Sequence, residues 1–485
     1  MKKQALLPTG IEQQFEIYET FFSTTDYRGI ITAGNSILTR TSGYSLDELI
    51  GSPHNLIRHP SMPRCVFAML WENAKDRQPF AGYVINQAKN GNHYWVFALI
   101  EPQAEEIISI RIKPSCGLLS TIQSLYPQLL QAEDDALANG ESIPQAIQRS
   151  KALLAEAVQK LGFQDYEAFS HYSINAEIRH RDSVVKKQGR TLFPTSIPST
   201  SDQVTQEAYY RAKKAYQNLG SVFTELDNFT RLAKEIKDGR DAVRDIADEF
   251  RLNALNANIA ATPLGGKGAT IETITRFLHS HAGEFSDNTS SLADQAAVTT
   301  SSIQRCVARL ASARIQMETL INYLCESSYS GDSRLLAGML SVAVSENLIH
   351  AERRIHSILK SLSELGRKQE ALQRAITAFN VAQTSGLMEC SRLPEAKHLT
   401  SMFSDLRQRI EDANTELADS ERILDKLKSL AAAAPPKIKM VIASLRTISG
   451  REPKLPLGIQ PFSNAEHSML TFEPPARNAH PSVLR

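Results

Sequence analysis

Cysteine is scarce in this 485-residue sequence. The five thiols, Cys65, Cys116, Cys306, Cys325 and Cys390, are scattered and form no C-x-x-C pair. That argues against a disulfide framework and a cysteine-held zinc, and fits a reducing compartment. Net charge is nearly absent too: 54 Lys and Arg stand against 53 Asp and Glu. A chain-wide electrostatic grip on nucleic acid is therefore not expected. No run approaches the roughly 18 apolar residues that span a bilayer. One long uncharged stretch, Leu252 to Gly266, is interrupted by Asn, Pro and Gly. Residues 1–19 lack the apolar segment of a secretory signal. At about three times the length of a typical domain, the chain reads as a cytoplasmic, multidomain protein without a membrane span.

Proline is missing where it matters. Of 21 in the chain, only Pro263 and Pro394 fall between Asp202 and Ala434, and so long a stretch rich in Ala, Leu, Glu and Arg predicts long helices. The last fifty residues hold Pro435, Pro436, Pro453, Pro456, Pro461, Pro474, Pro475 and Pro481. Residues 435–485 are accordingly expected to be an extended or disordered tail.

Residues 1–115 suggest a small α+β domain, an antiparallel sheet with short helices on one face. Both tryptophans, Trp71 and Trp95, lie here. Phe80–Gln87 and His93–Glu101 alternate as strands around Lys89-Asn-Gly-Asn, whose Asn-Gly signals a hairpin. Glu106-Ile-Ile-Ser-Ile-Arg-Ile reads as a further strand. Residues 116–201 form a helical connector with no assignable chemistry.

Heptads fill the helical half. One seam runs Ala212, Leu219, Leu226, Ala233, Arg240, Ala247, Ala254; its companion runs Ala215, Val222, Phe229, Ile236, Val243, Phe250, Ala257. Arg240 alone breaks the apolar pattern. After the stop at Pro263-Leu-Gly-Gly-Lys-Gly a second arm carries Leu278, Phe285, Leu292, then Ile303, Leu310, Met317, Leu324 in a shifted register. Residues 202–330 thus predict a long antiparallel hairpin with its tip near 256–268. Residues 331–434 add two heptad helices, one on Leu348, Ile355, Leu362 and Ile376, the other on Phe403, Ile410, Leu417 and Leu424. A lone hairpin leaves a seam unburied. A homodimer and a four-helix bundle completed by the chain itself would each cover it, the dimer being the slightly favoured expectation.

Four strings in the first domain are similar to the PAS domain of bacterial aerotaxis receptors. They are Ser23-Thr-Thr-Asp, Ser42-Gly-Tyr-Ser-Leu-Asp-Glu-Leu-Ile-Gly, Pro53-His-Asn-Leu-Ile-Arg-His-Pro-Ser-Met-Pro and Lys89-Asn-Gly-Asn-His-Tyr-Trp-Val, and the likeness covers about residues 15–115. It implies non-covalently bound FAD whose redox state is reported to a helical signalling domain, with Asn35, Arg58, His59, Trp71 and Asn86 as cofactor contacts. Ser61 stands where the family has Asp and removes a carboxylate. Physically, Trp71 could stack on a flat ring and Arg58 could fork onto a phosphate. The plainer reading makes Arg58 and His59 helix caps and Trp71 core. A haem on His59 is the weaker cofactor alternative.

The hairpin tip, Ile246-Ala-Asp-Glu-Phe-Arg-Leu-Asn-Ala-Leu-Asn-Ala-Asn-Ile-Ala-Ala, resembles that of methyl-accepting chemotaxis proteins. There the tip binds a histidine kinase and its coupling protein and packs receptors into arrays. Leu255, Asn256 and Ile259 are the matching partner-binding candidates. Ala260 and Pro263 replace the family's Glu and Arg, which weakens the implied contacts. No nucleophile–base pair, paired carboxylates or metal-ligand spacing is present, so no enzyme is expected. The expected function is a redox- or oxygen-sensing signal transducer of the aerotaxis type. The alternative is an interaction scaffold with an empty PAS domain.

Overall fold

The computed structural model describes residues 7–199, 201–326 and 331–449. Within them the chain forms two compact units. The first draws on the described residues of Met1–Lys214, Ser312–Glu346 and Ser444–Arg485; the second is Ala215–Ala311 with Asn347–Ala443.

The first unit is built on a five-stranded antiparallel sheet in the order β2-β1-β5-β4-β3. Its strands are β1 (Thr20–Thr25), β2 (Ile31–Gly34), β3 (Phe80–Gln87), β4 (His93–Pro102) and β5 (Ile107–Ile112). Between β2 and β3 come α1 (Ser36–Ser42), α2 (Leu46–Leu49), a 3-10 turn at His54–Ile57, and α3 (Arg64–Lys75). The β3–β4 reversal falls where the Asn-Gly pair predicts it. Gly91 sits at φ +88, and a Cβ there would lie 2.7 Å from the Leu7 carbonyl, so no other residue fits. Every residue of β3 and β5 is buried, which requires cover on both sheet faces.

The second cover is α4 (Leu118–Ala138), α5 (Ile143–Lys160) and α6 (Tyr166–Lys187). The segment 116–201, expected as a connector, therefore contains a docked helical layer. Two buried carboxylates fasten it. Glu177 accepts from Tyr83 Oη at 2.7 Å and from the Ser115 and Cys116 amides at 2.6 and 3.1 Å. Glu133 accepts from the Arg64 and Cys65 amides, both at 3.0 Å. It thereby caps α3, whose own N-cap, Pro63, offers no side-chain acceptor.

The helices beyond are α7 (Gln203–Ala261), α8 (Ala269–Leu324), α9 (Gly331–Arg392) and α10 (Leu399–Ser449). In the second unit α7 runs antiparallel to α8, shown by Thr300 Oγ1 on the Ala233 carbonyl and Ser286 Oγ on Asp248. Likewise α9 runs antiparallel to α10, through Gln369 on the Leu417 carbonyl and Gln383 on that of Phe403. Phe250, Phe285 and Phe379 join α7, α8 and α9, with centroids 4.7–6.4 Å apart. Salt bridges Lys437–Glu225 and Arg409–Glu249 join α10 to α7. In the second unit the α7–α8 hairpin thus packs on the α9–α10 hairpin of the same chain. The reversal at Thr262–Gly268 contains Pro263 and Gly265 at φ +55.

The proposed tail boundary at 435 does not hold. Helix α10 continues through Pro435 and Pro436 to Ser449. Ala431, Ala434, Ile438, Val441 and Leu445 keep a heptad and are all buried, and this packing outweighs two lost backbone hydrogen bonds. Residues 450–485 lie outside the described residues.

Candidate functional site

Strand pairing sorts the side chains of the sheet onto two faces. Asn86 faces Tyr94, Ala98 faces Arg111, and Ser23 faces Ser109, so these residues share one face. The opposite face carries Tyr83, Trp95 and Phe22. They meet Glu177 of α6, Tyr126 of α4 at 5.7 Å, and Tyr323 of α8 at 5.3 Å. The first face turns instead toward the segment between β2 and β3, where Arg111 Nη2 reaches Ser23 Oγ at 3.1 Å and His54 Nε2.

This face is polar where a core is normally apolar. Arg111, Asn86, Tyr94 and Ser109 are all nearly or fully buried, as is Thr41 of α1. Among the described residues, Arg111 Nη1, Asn86 Nδ2, Tyr94 Oη, Ser109 Oγ and Thr41 Oγ1 have no hydrogen-bond partner. Native interiors rarely leave several donors unmatched so close together. Burial lowers Arg111 to about 10, and loss of solvent with the adjacent guanidinium lowers His54 to about 3. His54 is therefore neutral, with Nε2 accepting from Arg111.

The predicted contacts divide into two groups. Arg58 and Asn86 are bridged backbone to backbone, and the His59 amide donates to the Ile85 carbonyl at 3.4 Å. These three residues gather at the β3 edge of the polar face. Arg58 lies over the Phe67 ring at 4.4 Å and donates to the Met62 carbonyl at 2.8 Å. Burial and nearby His93 push His59 down to about 4, and its Nδ1 accepts from the Ser61 amide at 3.1 Å. Ser61 is exposed, so the missing carboxylate is lost from the surface and not from the polar face.

Asn35 and Trp71 have other work. Asn35 Oδ1 accepts from the Phe22 and Leu38 amides at 3.1 and 3.3 Å, and Nδ2 donates to the Thr20 carbonyl at 2.9 Å. It caps α1 and ties it to β1. Trp71 packs on the β1–β2 turn, where a Cβ at Gly29 would come within 3.0 Å of the indole. Asn35→Ala should lower stability by about 1–2 kcal/mol through the lost cap. In denaturant melts the midpoint should move, whereas any pocket ligand should still bind the folded fraction with unchanged affinity.

Reasoning from the sequence passed over Arg111, His54 and Tyr94. The signal was available in Ile-Ser-Ile-Arg-Ile, because alternation puts a cation and a serine on one face of a strand otherwise made of isoleucine. At the hairpin tip, Leu255 is half-buried while Asn256 and Ile259 are exposed on α7.

Residues 32–109 match the PAS fold family. The aerotaxis receptor of Escherichia coli (strain K12) is 41% identical over 115 residues, 23% of this chain and 23% of that protein. The nitrogen fixation regulatory protein of Klebsiella pneumoniae is 38% identical over 80 residues, 16% of each. The chain thus matches less than a quarter of either relative's length. A solved PAS domain from Colwellia psychrerythraea aligns over 19% of this chain and 85% of its own, at 20% identity and TM-score 0.19. Among the described residues no helix is long and apolar enough to cross a membrane, and no group of His, Cys, Asp and Glu could hold a metal.

Proposed function

We propose that the chain is a sensory transducer whose PAS domain holds a flavin, FAD, and passes its redox or oxygen-linked state to the helical bundle. The observation that carries this reading is the set of unmatched buried donors on one face of the PAS sheet. Asn86 Nδ2, Tyr94 Oη and Arg111 Nη1 fit a ring edge dense in acceptors, and the likeness to an aerotaxis receptor supplies the chemical class. Asn86 and Tyr94 would orient the ring, and Arg58 at the β3 edge would meet the phosphates. The flavin supplies reversible electron storage; no residue here is asked to do covalent chemistry, so the protein is read as a transducer and not an enzyme.

The route outward lies within the first unit. The C-terminal turns of α8 rest on β1 and α1, through Tyr323 on Phe22 and Glu326 accepting from the Ser36 amide at 3.2 Å. A redox-dependent preference of about 1–3 kcal/mol between two PAS surfaces would bias the position of α8. The output side of the reading is a chemotaxis histidine kinase and coupling protein meeting exposed Asn256 and Ile259, with contacts weakened by Ala260 and Pro263.

The test is the visible spectrum of the purified chain. Flavin bands are expected, and Asn86→Leu should reduce pigment per protein about tenfold through the loss of one hydrogen bond. A Soret band would replace flavin with haem, and a colourless protein would favour the scaffold reading.

A further inference from the structure

Arg111 is a buried cation without a counter-ion. It is the penultimate residue of β5, 2% exposed, and among the described residues its hydrogen bonds go to the hydroxyl of Ser23 and the neutral ring of His54. None of the ion pairs among the described residues includes it, and Nη1 has no partner. An isolated charge in such surroundings normally finds a carboxylate or is replaced. Tyr94 Oη and Asn86 Nδ2 lie on the same face and also lack partners. His54 contributes only a lone pair, which orients the guanidinium without neutralising it. A strand made of isoleucine on its other face has kept one arginine whose Nη1 finds no partner among the described residues.

We propose that Arg111, oriented by His54 and Ser23, is the anchoring residue of a ligand site on the inner face of the PAS sheet, receiving the anionic or carbonyl edge of a planar heteroaromatic ligand. Tyr94 and Asn86 complete the edge with a hydroxyl and an amide. The inference deepens the reading above, because a flavin is one ligand with such an edge. A cation held there favours the more negative of two redox forms, so Arg111 would also hold the midpoint potential up.

A merely structural arginine and a ligand anchor give opposite results when truncated. If Arg111 holds the fold together, Arg111→Met melts lower. If it waits for a ligand, the ligand-stripped variant loses an uncompensated buried charge and melts at or above the stripped wild type. Arg111→Lys keeps the charge but not the planar fork, and should fall between wild type and Arg111→Met in ligand retention.

The experiment is native mass spectrometry of the full purified chain, wild type beside Arg111→Met and Arg111→Lys, with melting curves after the ligand is stripped. Wild type should carry a non-covalent mass of flavin size, and Arg111→Met should retain about a tenth of it or less, the loss of one charged hydrogen bond. The residual flavin of Arg111→Met, which lacks the cation, should show a more negative potential, while that of Arg111→Lys should stay near wild type. A different mass, lost in Arg111→Met, would overturn the flavin reading and uphold the site. Flavin held undiminished by Arg111→Met would uphold the flavin and overturn the role of Arg111. No non-covalent mass in wild type, or a stripped Met variant that melts below wild type, would overturn the site.

Discussion

Glu318→Ala should lower the melting temperature of the PAS-containing unit by roughly 10 °C, the equivalent of about 3–5 kcal/mol in a unit of this size. Glu318 on α8 and Arg181 on α6 are each 1% exposed at the side chain and form a salt bridge. Arg181 spends its remaining donors on the carbonyls of Ile17 and Tyr18, at 2.8 and 3.1 Å, in the run of chain entering β1. Removing the carboxylate leaves a buried guanidinium facing carbonyls alone, with Arg314 close by to repel it. Asp182, held at 2.7 Å by Arg314, stays as a neighbouring carboxylate. The double substitution Arg181→Met, Glu318→Leu should be milder than Glu318→Ala, since it removes both charges together. Calorimetry of the three proteins decides it. A loss under about 1 kcal/mol in Glu318→Ala would mean that the pair is wet and contributes no more than a surface bridge.

The second large effect runs the other way in the bundle. Arg240 is fully buried on the α7 seam. Nη2 donates to Gln369 Oε1 at 2.9 Å, Gln369 Nε2 donates to the Leu417 carbonyl at 2.7 Å, and Nε and Nη1 are unmatched. Burial pushes the guanidinium down to about 10. Gln369→Leu alone should destabilise the bundle by about 2–3 kcal/mol, because it strips the cation of its acceptor. Adding Arg240→Leu should reverse the sign and leave the double variant about 1–4 kcal/mol more stable than wild type. Chemical denaturation across the four-protein cycle measures the coupling. A double variant weaker than Gln369→Leu would show that the polar layer stabilises the bundle outright.

The heptads were legible because burial in a bundle depends on spacing and little else. Ala215, Val222, Phe229, Ile236, Val243, Phe250 and Ala257 are all core. The sequence marked Arg240 as an exception but could not show that its partner is a glutamine well over a hundred residues away. The prolines at 435–436 misled because propensity is local, whereas the helix there is held by Ala434, Ile438 and Val441 packing at a distance in sequence. At the polar face of the sheet, resemblance drew Arg58, His59 and Asn86 into one neighbourhood. It also brought in Asn35, whose short amide serves as a helix cap with three backbone partners. Arg111 was hidden for the opposite reason: an arginine between isoleucines looks like a solvent-facing strand residue until both sheet faces are known to be covered.

A bundle whose four strands come from one polypeptide has its stoichiometry written into the peptide bond. Each copy brings one PAS sheet and its own four long helices. Dilution does not take the four strands apart, since the linkers keep the second hairpin at a high effective concentration.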